Sequence, residues 1–472
     1  MQESHLEPFS RETQGSHLPH LDALPNGLLD AHHGSDPSST PHTSLLIEQA
    51  PILRRMRPLV RHVESKGVPV YHMGVGCLKV NPPSAIMDHL KSAPLRPEPY
   101  PQSYGQTSLL EALSTYLSQA LDVQIKPQDS IIVPGGLGAV FTALSLCTDV
   151  GDAVAIVRPS WPNTPLLARL YGRKVKEILC ASQQEWRLPS LESLLKDIGL
   201  DTRLLIIERP SNPTGAVWND EELQILDGLL DLRPALTIFA DEEYFELSSE
   251  RPRSILELNR DRIISGAGFS KSLALTSARL GRLTTFDRHL RTLLIPWCNV
   301  WLGSNNLLGL QEAIADSLQD RGPRGVGAYL GELNDFIRQA RQEVRSVFQV
   351  HPHVSLLPGK GAYYDVLLFK SSHIDAEQVL LHRLLTSLEA VEAEGPGPSR
   401  GLPFTYVMPL RGFYRPSPHH SNLDGFRLTL SLYGEELRQA LKTLSAMIEA
   451  YIEADLPHYG SIETVIKRRL GA

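Results

Sequence analysis

Cysteine is scarce in this chain: Cys77, Cys147, Cys180 and Cys298 are the only four in 472 residues. They lie far apart and form no C-x-x-C pair, which excludes a zinc ribbon, a dithiol redox motif and a small disulfide-stapled scaffold. Free thiols in a reducing, cytoplasmic setting are what such usage predicts. A positive excess is missing too, since 46 Lys and Arg stand against 53 Asp and Glu for a net charge of −7. A nucleic-acid partner therefore has little electrostatic support. Nowhere does the chain approach the ~18 consecutive apolar residues that a membrane span needs, and its first residues lack the apolar core of a secretory signal. No fixed-period repeat is visible.

What is present is the composition of an ordinary folded chain, with 42% hydrophobic and 21% charged residues, long enough for more than one core. The charge is unevenly spread. Residues 1–44 hold Glu3, Glu7, Glu12, Asp22, Asp30 and Asp36 against Arg11 alone, so most of the −7 sits there. That stretch is rich in Ser, His and Pro with no apolar period, and reads as a disordered acidic tail. Its six histidines are irregularly spaced and read as solvated residues rather than metal ligands.

Beyond the tail, Leu45, Leu46, Ile47, Ile52, Met56, Leu59 and Val60 read as helix, and 68–75 as an extended stretch. Short apolar runs at 130–133, 153–157, 204–208, 237–240 and 263–265 then alternate with helical patterns. Buried runs of that length separated by helices predict an α/β body with a parallel sheet covered on both faces. One long amphipathic stretch, 307–347, leads to a second unit: a strand at 362–369, a helix at 376–389, a strand at 426–430 and a closing helix at 434–453. Between them, the Pro/Gly/Arg-rich segment 395–421 is too long for an ordinary connection and reads as an active-site loop or an insertion.

The chemistry-bearing residues follow the apolar runs. Run 130–133 leads into Pro134-Gly135-Gly136-Leu137-Gly138 and a helical pattern. A glycine-rich turn there either packs tightly or offers backbone N–H groups to a phosphate at a helix N-terminus. After run 153–157 comes Pro159-Ser160-Trp161-Pro162-Asn163, where Trp161 either packs a loop or stacks on a flat ligand. After 204–208 comes Ser211-Asn212-Pro213-Thr214-Gly215, a turn that also presents the Asn212 side chain. Run 237–240 ends in Asp241-Glu242-Glu243-Tyr244. A carboxylate at the end of a buried strand needs a partner, and a protonated heterocyclic nitrogen would serve. Run 263–265 leads to Gly268-Phe269-Ser270-Lys271, with Arg279 eight residues on. There Lys271 is a candidate nucleophilic amine. A single ligand gripped by one sheet edge requires residues of these types at these positions.

Taken together, Pro159-Ser160-Trp161-Pro162-Asn163, Ser211-Asn212-Pro213-Thr214-Gly215, Asp241-x-x-Tyr244 and Ser270-Lys271 with Arg279 resemble the class I/II aminotransferases, fold-type-I pyridoxal-phosphate enzymes of the aspartate-aminotransferase-like branch. The resemblance covers roughly 45–472. It implies an α/β large domain with a mostly parallel central sheet at 83–335, and a smaller α+β domain made of 45–82 and 336–472. It implies pyridoxal 5′-phosphate as cofactor and no metal. Lys271 would be the catalytic lysine that carries the cofactor as a Schiff base, Asp241 the partner of the pyridinium nitrogen, Asn212 and Tyr244 the partners of the phenolic oxygen, and Trp161 the stacking ring. Gly135, Gly136, Leu137, Ser270 and Arg279 would hold the phosphate. Tyr104 would reach it from the neighbouring subunit, which implies a homodimer with shared sites. Arg427 resembles the arginine that grips the substrate α-carboxylate through two parallel hydrogen bonds, and Gly76 the glycine whose loop closes over it.

Three departures matter. Gly268 and Leu137 stand where aspartate-specific relatives place hydroxyl side chains. Val300 stands where dicarboxylate-specific relatives carry an arginine, about four residues before Ser304-Asn305, with Arg411 or Arg415 as the candidate replacement charges. The expected reaction is thus ping-pong amino transfer between a neutral or aromatic amino acid and a 2-oxo acid. The alternative on the same scaffold is a lyase, cyclase or oxidase acting on an amino acid. A ligand-sensing regulator built on this domain would need a basic DNA-binding region in front, and 1–44 is acidic.

Overall fold

The computed structural model describes residues 52–92, 100–248, 250–303, 307–394, 401–414 and 424–470. The expected tail, Ser304-Asn305 and Arg415 lie outside them. The described residues fall into two compact units. One holds 77–338 with 359–363, and the other the described residues up to 76 with 339–358 and those from 364 onward.

The first unit is built on a seven-stranded sheet, whose strands in chain order are β1 (Ser130–Val133), β2 (Ala153–Arg158), β3 (Lys174–Leu179), β4 (Thr202–Glu208), β5 (Thr237–Asp241), β6 (Ile263–Gly268) and β7 (Gly281–Thr285). Their spatial order is β1-β7-β6-β5-β4-β2-β3. β3, β2, β4, β5 and β6 pair in parallel, and β7 is antiparallel to both its neighbours. β1, β2 and β6 are buried at every position, because helices cover both faces of the sheet. Helix Gly135–Cys147 packs Ala139, Val140 and Ala143 into the same core as Ile156, Phe239 and Ile264. Gly266 permits that approach, since a Cβ there would lie 2.6 Å from Phe239 and 2.7 Å from Ala139.

Two strands carry no apolar run. β3 is an edge strand that is mostly half-buried and reads Lys-Val-Lys-Glu-Ile-Leu. β7 is buried but polar: Arg282 Nη1 donates to Ser265 Oγ at 3.0 Å and Thr284 Oγ1 at 3.3 Å, while Ser130 and Thr284 share a 2.8 Å hydrogen bond. Stretch 307–347 is two helices, Leu308–Gln319 and Val326–Phe348, rather than one. Between them the Gly322 amide bonds Asp320 Oδ1 at 2.7 Å and Pro323 follows, so the chain loses the donors a continuous helix requires. The run 359–363 belongs to the first unit because the Lys360 and Gly361 amides donate to the Gly215 carbonyl, and Ala362 to Leu247.

The second unit is α+β. An antiparallel sheet orders Met408–Pro409, Gly425–Thr429, Tyr364–Phe369 and Val354–Pro358, flanked by helices Ala376–Glu394 and Gly434–Glu453. The described part of segment 395–421 is not plain loop. Its strand Phe404–Tyr406 pairs in parallel with Val70–His72. Among the described residues no helix is long and apolar enough to cross a membrane.

Candidate active site

The carboxyl ends of β1, β2, β4, β5 and β6 lie along one edge of the sheet, and each of the five loops that leave that edge carries expected site residues. Antiparallel β7 begins at this same edge, which brings in Arg279, two residues before Gly281. The ends of parallel strands are where helix N-termini converge and where α/β folds bind ligands.

Gly135 opens helix Gly135–Cys147 at φ +70°, a conformation that favours glycine. A Cβ there would lie 3.0 Å from Arg279 Nη2, so the guanidinium rests against the first turn of the helix. Gly136 and Leu137 complete the turn. Ser270 is buried in the short helix Phe269–Ser272, and its Oγ has no hydrogen-bond partner. Lys271, the next residue, is half-buried.

The three acids 241–243 at the end of β5 face different surroundings. Glu242 is a structural anchor: it accepts from Ser254 Oγ at 2.7 Å, Ser265 Oγ at 2.6 Å, Trp218 Nε1 at 3.0 Å and the Ile255 amide at 2.9 Å. Asp241 ends β5 and accepts only a 3.2 Å bond from the Glu243 amide among its side-chain bonds so described. Burial pushes its carboxyl up to about 7; the Glu243 charge adds to this and the Glu243 amide opposes it. Glu243 is turned toward the glycines: a Cβ on Gly136 would collide with its Oε2, and one on Gly268 would lie 2.7 Å from its Oε1.

Glu208, which the sequence reading passed over, stands opposite Asp241 in register at the end of β4. Its Oε2 accepts the Trp161 amide at 3.0 Å. Burial raises its proton affinity well above the ordinary carboxylate range and the Asp241 charge adds to it, against the Trp161 and Asn212 amides and Arg158. The signal was there in principle, as an acid closing an otherwise apolar strand. Asn212 is buried, Trp161 is half-buried, and the Tyr244 ring meets Tyr363 edge-on at 5.5 Å. Tyr104 lies apart from this set. It helps line a separate cavity of about 500 Å³ with Thr107, Gln128, Arg288 and Arg291.

In the second unit Arg427 is 2% exposed, on strand Gly425–Thr429. Its guanidinium carbon sits 4.5 Å from the Tyr364 ring centre and 5.1 Å from that of Phe413, and Nη2 donates to the Gly74 carbonyl. Aromatic faces against a guanidinium fix the plane in which its N–H groups lie. Gly76 belongs to the same cage, for a Cβ there would lie 2.5 Å from Tyr364 Oη and 3.7 Å from Arg427 Nη1. Arg411 is committed elsewhere, to Asp375 at 3.0 Å and Asp424 at 3.3 Å. Val300 is 84% exposed, on helix Arg288–Trp301. Trp297 and Trp301 of that helix stack at 6.0 Å and both meet Phe141.

Among the described residues no cluster of three or more His, Cys, Asp or Glu could hold a metal ion. A phosphorylated aromatic aldehyde fits the first unit's edge. The helix N-terminus at Gly135, the buried Ser270 hydroxyl and Arg279 suit its phosphate, with the Glu243 carboxylate standing among them. Asp241 supplies a carboxyl group for a ring nitrogen and Lys271 an amine.

The profile of the family "Aminotransferase class I and II" matches residues 73–393. The chain is 25% identical over 314 residues to a probable aspartate/prephenate aminotransferase of Aquifex aeolicus, covering 64% of this chain and 77% of that one. It is 32% identical over 280 residues to a (5-formylfuran-3-yl)methyl phosphate transaminase of Methanocaldococcus jannaschii, covering 58% and 71%. Among solved structures, an alanine aminotransferase from Pyrococcus furiosus superposes with a TM-score of 0.75 at 19% identity, covering 87% of this chain and all of that one.

Proposed function

The chain belongs to the class I and II aminotransferase family and is an enzyme of that family; from this premise we propose that it moves an amino group between a neutral or aromatic amino acid and a 2-oxo acid, with pyridoxal 5′-phosphate bound at the β1–β6 edge. The observation that carries the reading is the convergence there of Lys271, Asp241 and the Ser270–Arg279–Gly135 anion cradle. When bound, the cofactor supplies a positively charged ring that draws electrons from the substrate's Cα.

The amides of Gly135, Gly136 and Leu137, with Ser270 Oγ and Arg279, hold the phosphate. Trp161 covers the ring, while Asn212 and Tyr244 donate to its phenolic oxygen. Asp241 would keep a proton at the ring nitrogen by setting its carboxylate charge beside it, and that pairing would offset the burial that lifts the unpaired carboxyl to about 7. Lys271 Nζ would anchor the cofactor and, once the substrate's amine has displaced it, would be the free amine that takes the proton from the substrate's Cα. Arg427 holds the α-carboxylate in its Tyr364–Phe413 cage, and the Gly76 turn closes on it. Tyr104 serves the phosphate of a second copy, so the working form is a homodimer. A cytoplasmic location belongs to the same reading, since Cys77, Cys147, Cys180 and Cys298 are all free thiols.

The substrate class rests on charge. Val300 offers none for a second carboxylate, and Arg411 is already neutralised by two acids. In a screen of amino donors at equal concentration against several 2-oxo acids, with products read by mass, aromatic and aliphatic donors are expected to outrun aspartate and glutamate. The reverse order contradicts the substrate assignment.

A further inference from the structure

Glu243 has no role in the reading above, although its carboxylate stands inside the cradle assigned to the phosphate. Of the three consecutive acids 241–243 at the end of β5, Glu242 is fully bonded to structural donors, whereas Glu243 Oε2 is buried with no hydrogen-bond partner. Its carboxylate lies against Gly136 on one side and against Gly268 on the other, where a Cβ would come within 2.9 Å of Cδ. The positive charges facing it are Lys271 and Arg279, and the Gly268 amide and the Ser270 hydroxyl point at it. The acids facing it are Asp241 and Glu246. Gly135 rests against the same Arg279.

Two anions cannot share a buried cradle of this size without a large Coulomb penalty. A carboxylate that already draws on Arg279, Lys271 and the Gly268 amide uses donors that a phosphate needs. We propose that Glu243 is a resident competitor for the phosphate site, so that cofactor loading is an exchange of one anion for another and the side chain at 243 sets how tightly the phosphorylated cofactor is held. The inference rests on the cofactor assignment made above. For the phosphate to enter, the carboxylate must swing away or take a proton; burial already favours the protonated form, against the pull of Lys271 and Arg279.

The test uses the full chain depleted of cofactor, in the parent form and as Glu243→Gln and Glu243→Val. Each is titrated with pyridoxal phosphate, with unphosphorylated pyridoxal and with inorganic phosphate, followed by tryptophan fluorescence at pH 6 and pH 8. At pH 8 both variants are expected to bind pyridoxal phosphate at least tenfold more tightly than the parent, and inorganic phosphate more tightly as well. Pyridoxal should change by less than twofold. At pH 6 the advantage should shrink, because protonation does to the parent what the substitutions do at pH 8; comparing variant with parent cancels the titration of the phosphate itself. Equal pyridoxal phosphate affinities, weaker binding by either variant, or an equal gain for pyridoxal overturns the inference and leaves the cofactor assignment standing. If no form binds pyridoxal phosphate, the cofactor assignment falls and the inference with it.

Discussion

Asp241 and Glu242 are adjacent acids that burial pushes in the same direction, and they differ in their donors. Glu242 accepts from fixed hydroxyl, indole and amide groups, which with Arg282 oppose the effect of burial. Asp241 accepts from the Glu243 amide, and its carboxyl is lifted to about 7. The sign of the consequence follows from proton counting. An unfolded Asp loses its proton near pH 4, while folded Asp241 keeps it to about 7, so between those values the folded state binds more protons and stability falls as pH rises. Asp241→Asn removes this dependence. In thermal or denaturant unfolding of the cofactor-depleted chain, the variant should gain on the parent by about 2–4 kcal/mol between pH 4.5 and pH 8. A pH-independent difference would show that the carboxyl titrates normally.

At the scale of elements, strands β1, β2, β4, β5 and β6 were legible in the sequence because both faces of each are covered and the apolar run is unbroken. β3 and β7 were not, the first because an edge strand keeps its lysines in solvent, the second because its buried Arg282, Thr284 and Thr285 satisfy one another's polarity with Ser265 and the Ile263 carbonyl. The candidate site residues could be named from the sequence for a related reason, since the loops that carry them leave one sheet edge. Glu208 and the orientation of Glu243 were not, because they depend on register and on which side of a turn a side chain leaves. Gly266 shows how one residue positions an element. Gly266→Ala would push Ala139 and Phe239 apart and tilt helix Gly135–Cys147 off the sheet. It is expected to cost about 1–3 kcal/mol by overpacking, with pyridoxal phosphate affinity falling alongside Tm. A loss of stability at full cofactor affinity would show that the helix N-terminus does not depend on that contact.

For the whole molecule the net charge is negative, and the proposed chemistry draws on Arg279 with Lys271 in one unit and on Arg427 in the other. The assignment of Tyr104 to a second copy's phosphate requires two chains. Sedimentation equilibrium should give a dimer, and Tyr104→Phe should weaken pyridoxal phosphate binding without dissociating it; a monomer with full affinity would remove Tyr104 from the site. The central claim is that an amino group is kept rather than released. Enzyme loaded with pyridoxal phosphate is mixed with a large excess of one good amino acid and no 2-oxo acid, and both 2-oxo acid and free ammonia are measured. Amino transfer predicts one equivalent of 2-oxo acid per chain, no ammonia, and renewed turnover when a 2-oxo acid is added. Continuous release of ammonia, or no 2-oxo acid from any donor, would contradict it.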